Sequence, residues 1–263
     1  MSKFFKEKVF SPFFVLLLIL LAIAITANIA IPYGKKKNQQ SPIKEVLTNE
    51  TLFNQAVEDA MKMGKSDIHK LVTLTPNDSM TTWNEKGQVL LVTWTSTLLG
   101  YDKGESCALS DRMWCYSEKE LISWYKKNIK NTNEDLTTRF EQLLGLHENE
   151  GYTDFIAVWV DVKNVIRPAY NMDPTSNQMY TTLPENTSDM LKTFFEDQIY
   201  MSYYGAFSYP WTRLGYTYDW ADNGTKYGVS EFMILKDSKI KVAYDKTNKE
   251  FFEYLKQKAS EES

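Results

Sequence analysis

The sequence predicts an α+β fold: a single domain with a mostly antiparallel sheet packed by several helices, preceded by one N-terminal transmembrane or signal helix. Three observations lead to this prediction. Residues 13–31 form an apolar run without a charge. The rest of the chain mixes helical periodicity with short strand-like runs, but without the regular alternation of βαβ units. No glycine-rich loop follows a predicted strand, which argues against a doubly wound nucleotide-binding fold.

The apolar run at residues 13–31 is long enough to cross a bilayer, because about 20 helical residues span the hydrocarbon core. Residues 1–12 before it carry a basic cluster, and residues 32–43 after it are polar, which we interpret as a tether. An uncleaved signal-anchor and a cleaved signal peptide are the two alternatives, and the length of the run favours the anchor. Both alternatives place residues 44–263, the predicted α+β domain, outside the cytoplasm.

The first half of this domain is predicted to contain helices and one buried strand. Apolar residues recur at helical spacing from Thr48, and Gly64 is placed to end this first helix. Residues 88–95 (QVLLVTWT) are apolar on both faces, which predicts a strand buried on both sides. We interpret residues 100–116, which contain both cysteines, as a loop. Residues 117–120 carry a capping-box pattern, with serine and glutamate three positions apart, that predicts the start of a short helix.

The second half of the domain is predicted to contain both helices and strands. Residues 134–145 carry an apolar helical stripe that ends at a glycine, and residues 154–161 (DFIAVWVD) predict another doubly buried strand. Residues 186–199 predict a helix with a polar N-terminal cap. Residues 229–244 predict a β-hairpin whose turn is Lys-Asp-Ser, and a last helix begins near Thr247.

The charge of the domain argues against nucleic acid as a partner. The whole chain has a formal net charge of -4, but residues 1–37 hold six lysines and one glutamate, which leaves 24 basic and 33 acidic side chains and a net charge of -9 for the rest. That sign repels phosphate backbones and anionic lipid surfaces. The sequence also contains no P-loop, no H-E-x-x-H motif and no G-x-S-x-G nucleophile elbow.

Cysteine and histidine residues are few. Cys107 and Cys115 are predicted to close a small disulfide loop, because an exported domain folds in an oxidising compartment, and two ordinary thiols are the alternative. His69 and His147 are far apart in the sequence, and we interpret both as surface residues. Two cysteines and two distant histidines make no ligand cluster, so the sequence predicts neither a metal site nor a cofactor.

The densest aromatic segment is YPWTRLGYTYDW, residues 209–220, followed by the strand VSEFMIL. Arg213 lies among these rings, where a guanidinium can stack and pair with a carboxylate, and Asp219 and Glu231 are the nearest partners. Glu231 shares a strand face with apolar residues, so its carboxyl must be paired or have a raised pKa. A ligand cleft and a buried arginine–carboxylate pair in an aromatic core are the two interpretations. The candidate ligand-binding residues are Trp211, Arg213, Tyr216, Tyr218, Asp219 and Glu231.

Several segments resemble an uncharacterised family of exported bacterial proteins. They are RFEQLLGL (residues 139–146), AVWVDV (residues 157–162), YPWTRLGYTYDW (residues 209–220) and GVSEFMILKDSKIKV (residues 228–242). The likeness spans roughly residues 88–243, and the aromatic segment is its most specific part. The resemblance implies a secreted or membrane-anchored domain and carries over no catalytic residue.

From these features we expect a single-pass protein of the bacterial inner membrane with an extracytoplasmic C-terminal domain, or a protein secreted after signal cleavage. We expect a binding or envelope-interaction domain without catalysis. Its partners would be the membrane, through the N-terminal helix, and an unknown protein or a small envelope ligand. The alternative is an enzyme, a transferase or hydrolase, that uses Glu231 and Arg213 in an aromatic cleft. A Glu231 that opens into a pocket beside Arg213 would favour the enzyme, whereas a sealed salt bridge would exclude it.

Overall fold

The structure is a computed structural model that describes residues 47–96, 103–129 and 134–261. The predicted basic region, the predicted transmembrane or signal helix and the predicted tether lie outside these ranges. Among the described residues, no helix combines the length and the apolar character needed to cross a bilayer.

Strands of the described residues form an eight-stranded sheet, and every pairing in it is antiparallel. This confirms the predicted mixed architecture with an antiparallel sheet. The strands are β1 (Val89–Thr95), β2 (Ser106–Ala108), β3 (Met113–Ser117), β4 (Asp154–Val160), β5 (Val165–Ile166), β6 (Tyr216–Tyr218), β7 (Tyr227–Ile234) and β8 (Lys239–Thr247). Their order across the sheet is β2–β8–β4–β1–β3–β7–β5, and β6 pairs with β7 beside this path.

Alternate residues of the central strand β1 enter two different cores. Leu90, Val92 and Trp94 pack with helices on one face of the sheet. Val89 and Leu91 pack on the other face. Because successive side chains of a strand point to opposite faces, the continuous apolar sequence of β1 buries both sides. The predicted doubly buried strand is confirmed.

Five helices within the described ranges pack around this sheet. The predicted helices are confirmed as elements, including the first one and the C-terminal one. They are α1 (Asn49–Lys62), α2 (Glu118–Asn128), α3 (Leu136–Leu144), α4 (Asp189–Tyr203) and α5 (Asn248–Glu261). Helices α2, α3 and α5 supply the larger core on one face of the sheet. Helix α1 packs against Trp220 in a smaller cluster, and α4 buries Phe195.

Helix α2 begins where its capping-box pattern predicts, but the capping box does not form. Ser117 makes no capping hydrogen bond, and its hydroxyl donates to the carbonyl of Met80. The carboxylate of Glu120 accepts two hydrogen bonds from Ser230 on β7. Both polar groups of the pattern therefore bind distant parts of the chain, because the start of α2 lies against β7.

Strands β7 and β8 do not form the predicted hairpin. Only four residues separate Ile234 from Lys239, yet β7 pairs with β3, β5 and β6, whereas β8 pairs with β2 and β4. The segment that carries β2 and β3, predicted as a loop, binds both strands and their turn. The Leu109 N–H donates to the Ser238 carbonyl at 3.0 Å, and the Asp237 N–H donates to the Leu109 carbonyl at 2.9 Å. Since both edges of β7 and of β8 are occupied, neither strand is left to pair with the other.

Strands β1 and β3 separate inside the sheet. They pair at only two positions, and Val92 with Tyr116 is the last pair. Beyond it, β1 continues to Thr95 along β4, whereas β3 runs back to Met113 along β7. The two strands therefore diverge, and an opening forms beside them that the described residues do not fill.

Candidate functional site

A cavity of about 400 Å³ lies at the separation of β1 and β3. This volume is within the range of small-molecule sites, about 300–1,000 Å³. The cavity is lined by the separated strand ends, by β6 and β7, and by the chain just before β6. We call it the aromatic cleft and define it by Trp94, Trp114, Tyr116, Tyr152, Trp211 and Glu231.

Glu231 is the buried acidic group of the aromatic cleft. It lies on β7 directly across from Tyr116 of β3, so the two side chains leave the same face of the sheet. Glu231 is 8% exposed, and its carboxyl makes no hydrogen bond to any other described residue. Burial raises the pKa of Glu231 to about 8, and the charge of Arg167 limits the rise. The group is therefore mostly protonated at neutral pH and can donate a hydrogen bond into the cleft.

Aromatic side chains give the cleft both fixed walls and free polar groups. The Trp94 indole is fixed, because its Nε1–H donates to Asn248 at 2.7 Å and its ring stacks on Phe155 with centroids 5.1 Å apart. Tyr116 and Trp114 are different, since neither the hydroxyl nor the indole N–H binds another described residue. Burial, reinforced by the charge of the neighbouring glutamate, raises the pKa of Tyr116. Two donors beside the acid are thus left for a ligand.

Arg167 supplies a positive charge on the opposite face of β7 and does not line the cleft. It is fully buried, and its guanidinium donates to the carbonyls of Val72 at 2.7 Å and Gly215 at 3.3 Å. The guanidinium also lies 4.8 Å from the centre of the Phe232 ring. Burial lowers the pKa of Arg167 to about 10, so the side chain remains charged at neutral pH. Its field crosses β7 and partly stabilises the ionised form of Glu231.

Glu120 is a second acidic group beside β7, but it is already satisfied. Its carboxylate accepts from the backbone N–H and the hydroxyl of Ser230, both at 3.0 Å. The Ser230 hydroxyl accepts in turn from the Val72 N–H at 2.8 Å. Burial raises the pKa of Glu120 to about 7, while the Ser230 hydrogen bonds and the Arg167 charge oppose the rise. Glu120 does not line the cleft; it fixes the strand position next to Glu231.

The structure brings four of the six sequence-predicted site residues to the cavity: Trp211, Tyr216, Tyr218 and Glu231. The two tyrosines send their hydroxyls elsewhere. The Tyr216 hydroxyl donates to the Asp67 carbonyl at 2.7 Å, and the Tyr218 hydroxyl donates to the Asp59 carboxylate at 3.1 Å. These phenols are therefore committed to holding α1 and the turn after it, and they are not available to a ligand.

Arg213 lies outside the cavity, where its side chain binds backbone carbonyls at the C-terminal end of helix α1. Its guanidinium donates to the carbonyls of Ala60 at 2.6 Å and Met61 at 3.1 Å, and to the Tyr170 hydroxyl at 3.3 Å. The Tyr203 ring lies 5.2 Å from the guanidinium carbon. Helix C-termini leave carbonyls without intrahelical partners, and a cation there is favoured by the helix dipole. Arg213 pairs with neither predicted carboxylate, so the structure does not assemble the predicted pair of Arg213 with the acid of the cleft.

Asp219 also lies outside the cavity, in a buried ion pair. Arg139 of α3 donates to both of its carboxylate oxygens, at 3.0 and 2.6 Å. The Arg139 guanidinium lies 4.8 Å from the Trp124 ring centre, between α2 and α3. Asn223 donates to the same carboxylate at 3.1 Å. Asp219 thus has the structural role that one sequence interpretation gave to a buried arginine–carboxylate pair, although the arginine is a different one.

The predicted disulfide does not form in the structure. Cys107 and Cys115 are both free thiols. Cys107 lies opposite Ile240 of β8, whereas Cys115 lies opposite Phe232 of β7, so the two cysteines do not face each other. Burial raises the pKa of both thiols, most strongly that of Cys115.

No three histidine, cysteine or carboxylate side chains in the described ranges are arranged to hold a metal ion. His69 is exposed, as predicted, and stacks on Tyr227 with ring centroids 4.3 Å apart. His147 is half-buried instead, 4.1 Å from the Phe53 ring, because α1 covers it.

Sequence reasoning missed Trp114 and Tyr116, which lie beside Glu231. The sequence analysis interprets their segment, residues 100–116, as a loop that holds both cysteines. The run MWCYS forms a strand of only five residues in which all but Trp114 are buried, so it carries no alternating pattern that would mark it as a strand. The pairing of β3 with β7, which brings this segment beside Glu231, is not recognisable from the local sequence.

Comparisons with known proteins give no family assignment. No family model matches the chain, no curated protein matches its sequence, and no solved structure matches its fold. The resemblance to exported bacterial proteins therefore stays a prediction, and function is inferred from the geometry of the aromatic cleft.

Proposed function

We propose that this protein is a membrane-anchored, extracytoplasmic ligand-binding protein, and that its ligand binds in the aromatic cleft. The observation that carries the proposal is an unpaired acid, Glu231, inside a cavity walled by aromatic rings. A buried polar group without a hydrogen bond costs about 1–3 kcal/mol. A ligand that donates to or accepts from this acid would recover that cost, and rings around it would supply contact area.

The walls of the cleft are built to keep their shape. Trp94 is locked by a hydrogen bond and by ring stacking, and the Trp211 indole donates to the Pro168 carbonyl at 3.2 Å. Glu231 is held on β7, whose neighbour Ser230 is fixed by Glu120. Rigid walls reduce the entropy lost on binding, which supports a preformed binding site.

The binding proposal is tested with the purified full chain in detergent. Tryptophan fluorescence and thermal shift are recorded with small amines, sugars, amino acids and carboxylates, because three tryptophans line the cleft. We expect at least one class to bind to the wild-type protein. Glu231→Gln should weaken that binding, whereas Glu253→Gln, an exposed glutamate of α5, should leave it unchanged. Equal binding by both variants would show that the ligand site lies elsewhere.

The location is proposed from the sequence, namely from the apolar run at residues 13–31 and the tether after it. A reporter that is active only outside the cytoplasm, fused after Ser263, should be active in membrane fractions. Activity of a cytoplasm-only reporter at the same position would contradict this location. Recovery of the active fusion in the medium would instead indicate a cleaved signal peptide.

Catalysis by Glu231 is the second candidate function, and its protonation at neutral pH favours it. A carboxylic acid with a pKa near the working pH is suited to general acid catalysis. Arg213 lies outside the cleft, so this candidate depends on Glu231 without its predicted partner. Turnover of a glycoside, ester or amide panel that Glu231→Gln abolishes would establish it. Binding without turnover across the panel would reject it.

A further inference from the structure

We infer that the ligand of the aromatic cleft is a small organic cation, an ammonium group held against the aromatic rings with Glu231 as its counter-ion. This inference rests on the proposed function, because it names the chemical class of the ligand for that same site. The first support is the position of the acid. Glu231 opens to the cavity, and within the described ranges its carboxyl has neither a hydrogen bond nor a salt bridge to a basic side chain.

The second support is the aromatic lining next to the acid. Tyr116 lies across the ladder from Glu231, and Trp114 is two positions away on the same strand and therefore on the same face. An ammonium within about 6 Å of a ring centre is attracted by the negative face of the ring, most strongly when the site is desolvated. An acid beside aromatic faces is the combination that recognises a cation better than a neutral molecule of the same shape.

The charges at the mouth of the cleft do not oppose this assignment. Asp111 and Arg112 line the entrance, and both are exposed. The Arg112 guanidinium lies 5.1 Å from the Phe194 ring centre, so an aromatic partner on α4 already holds it. Since Arg112 is solvated and Asp111 adjoins it, their effects on a cation inside the cleft largely cancel.

Cation binding should displace a proton from Glu231. The empty site holds the acid mostly protonated at neutral pH, whereas an ammonium counter-ion requires the carboxylate. The proton leaves to solvent as the ion pair forms. The charged and titratable groups nearest to the acid are Tyr116 and Cys115 of β3, Arg167 on the opposite face of β7, and Glu120 beside Ser230. Tyr116 and Cys115 stay neutral because burial raises their pKa, and Arg167 stays charged, so among these five described groups only the two glutamates titrate near neutral pH.

The linkage has a defined sign. Below the pKa of about 8, the cation must compete with a proton, so its affinity should rise with pH by up to about tenfold per unit. Above that pKa the carboxylate is already formed and the affinity should level off. A neutral ligand that accepts a hydrogen bond from the protonated acid should show the opposite trend.

The test is isothermal titration calorimetry on the purified full chain in detergent. Two ammonium probes, choline and 1-butylammonium, are compared with neutral molecules of the same shape, 3,3-dimethylbutan-1-ol and 1-butanol. Each is titrated at pH 6 and pH 8, in buffers with different ionisation enthalpies so that released protons are counted. We expect at least one cation to bind about tenfold more tightly than its neutral counterpart at pH 8 and to weaken at pH 6. It should release close to one proton at pH 6 and about half a proton at pH 8.

Variants assign the effect to the acid. Glu231→Gln should remove the preference for the cation and the proton release, while Glu253→Gln should keep both. If a neutral probe binds as tightly as its cation to the wild-type protein, the cation inference is overturned and the binding proposal stands. If none of the four probes binds, the cation inference is overturned, and the broader ligand screen then decides the binding proposal. The wild-type comparison does not depend on the folding of any variant.

Discussion

Replacing Glu231 with glutamine should change how the stability of the domain depends on pH. The pKa of this acid is about 8 in the folded state and about 4.5 in the unfolded chain. The folded state therefore binds more protons than the unfolded state between these two values. Stability must fall as the pH rises through this window, because only the unfolded state releases its proton there and is thereby favoured. Glutamine has nearly the same shape and cannot ionise, so this contribution disappears in the variant.

The magnitude follows from the size of the pKa difference. Each pH unit inside the window contributes up to about 1.4 kcal/mol to the free energy of unfolding. Between pH 5 and pH 8, the difference in stability between Glu231→Gln and the wild type should grow by about 3 kcal/mol in favour of the variant. Glu120 titrates in the same region in both proteins, so its contribution cancels in the difference.

Urea unfolding of the full chain in detergent, followed by tryptophan fluorescence at pH 5, 6, 7 and 8, measures this difference. Glu253→Gln serves as the control, because it removes an exposed carboxylate of the same type, and its curve should run parallel to that of the wild type. If the curve of Glu231→Gln is also parallel to the wild type across the whole range, the acid is not ionising in a buried site. The description of the cleft would then be incorrect.

Three further substitutions or measurements test the packing around the cleft. Gly215→Ala should lower the free energy of unfolding by about 2–4 kcal/mol. The residue has a φ of 85°, and an added Cβ would lie 2.5 Å from Cδ of the fully buried Arg167. An unchanged urea midpoint would contradict this prediction. Asp219→Asn should cost about 3 kcal/mol by the same assay, since it removes the buried counter-charge of Arg139 and leaves only the half-exposed Glu134 carboxylate at 3.8 Å, and a loss below about 1 kcal/mol would show that the pair is solvated. In native protein a maleimide should label Cys107 slowly and Cys115 only after unfolding. Mass spectrometry under non-reducing conditions should find two free thiols, whereas a mass lower by two hydrogens would establish the disulfide.

The helices and the long strands were predictable because their signals are local. Apolar periodicity alone identifies α3, and a glycine in the left-handed conformation ends it at Gly145. The sequence of β1 is apolar at both parities, and only burial on two faces explains such a pattern. Glu231 was also recognisable, since a carboxyl on an apolar strand face implies either pairing or a raised pKa. These conclusions depend on residues within one element.

The errors concern pairings between distant segments. Strands β7 and β8 resemble a hairpin locally, but each finds better partners elsewhere, and sequence proximity cannot reveal that competition. Arg213 was placed beside a carboxylate because the two are near in sequence, whereas its guanidinium binds Ala60, which is 153 positions away. The last carbonyls of a helix are hydrogen-bond acceptors, and no side-chain pattern shows which distant donor they will bind. Trp114 was missed because its position beside Glu231 depends on the pairing of β3 with β7, two segments that are distant in the sequence.

The position of β8 has a consequence for the order in which the chain can fold. This strand pairs with β4 and β2, and its residues Lys239–Thr247 are synthesised after the other strands of the described sheet. Until they are available, β4 and β2 each present an unpaired edge, and such edges invite aggregation. The contacts of β8 with β2 and β4 join residues far apart in the sequence, and such contacts slow folding. The sheet can therefore close only after β8 has been synthesised, so we expect holding factors to be needed during synthesis and any truncation before Thr247 to remain unfolded.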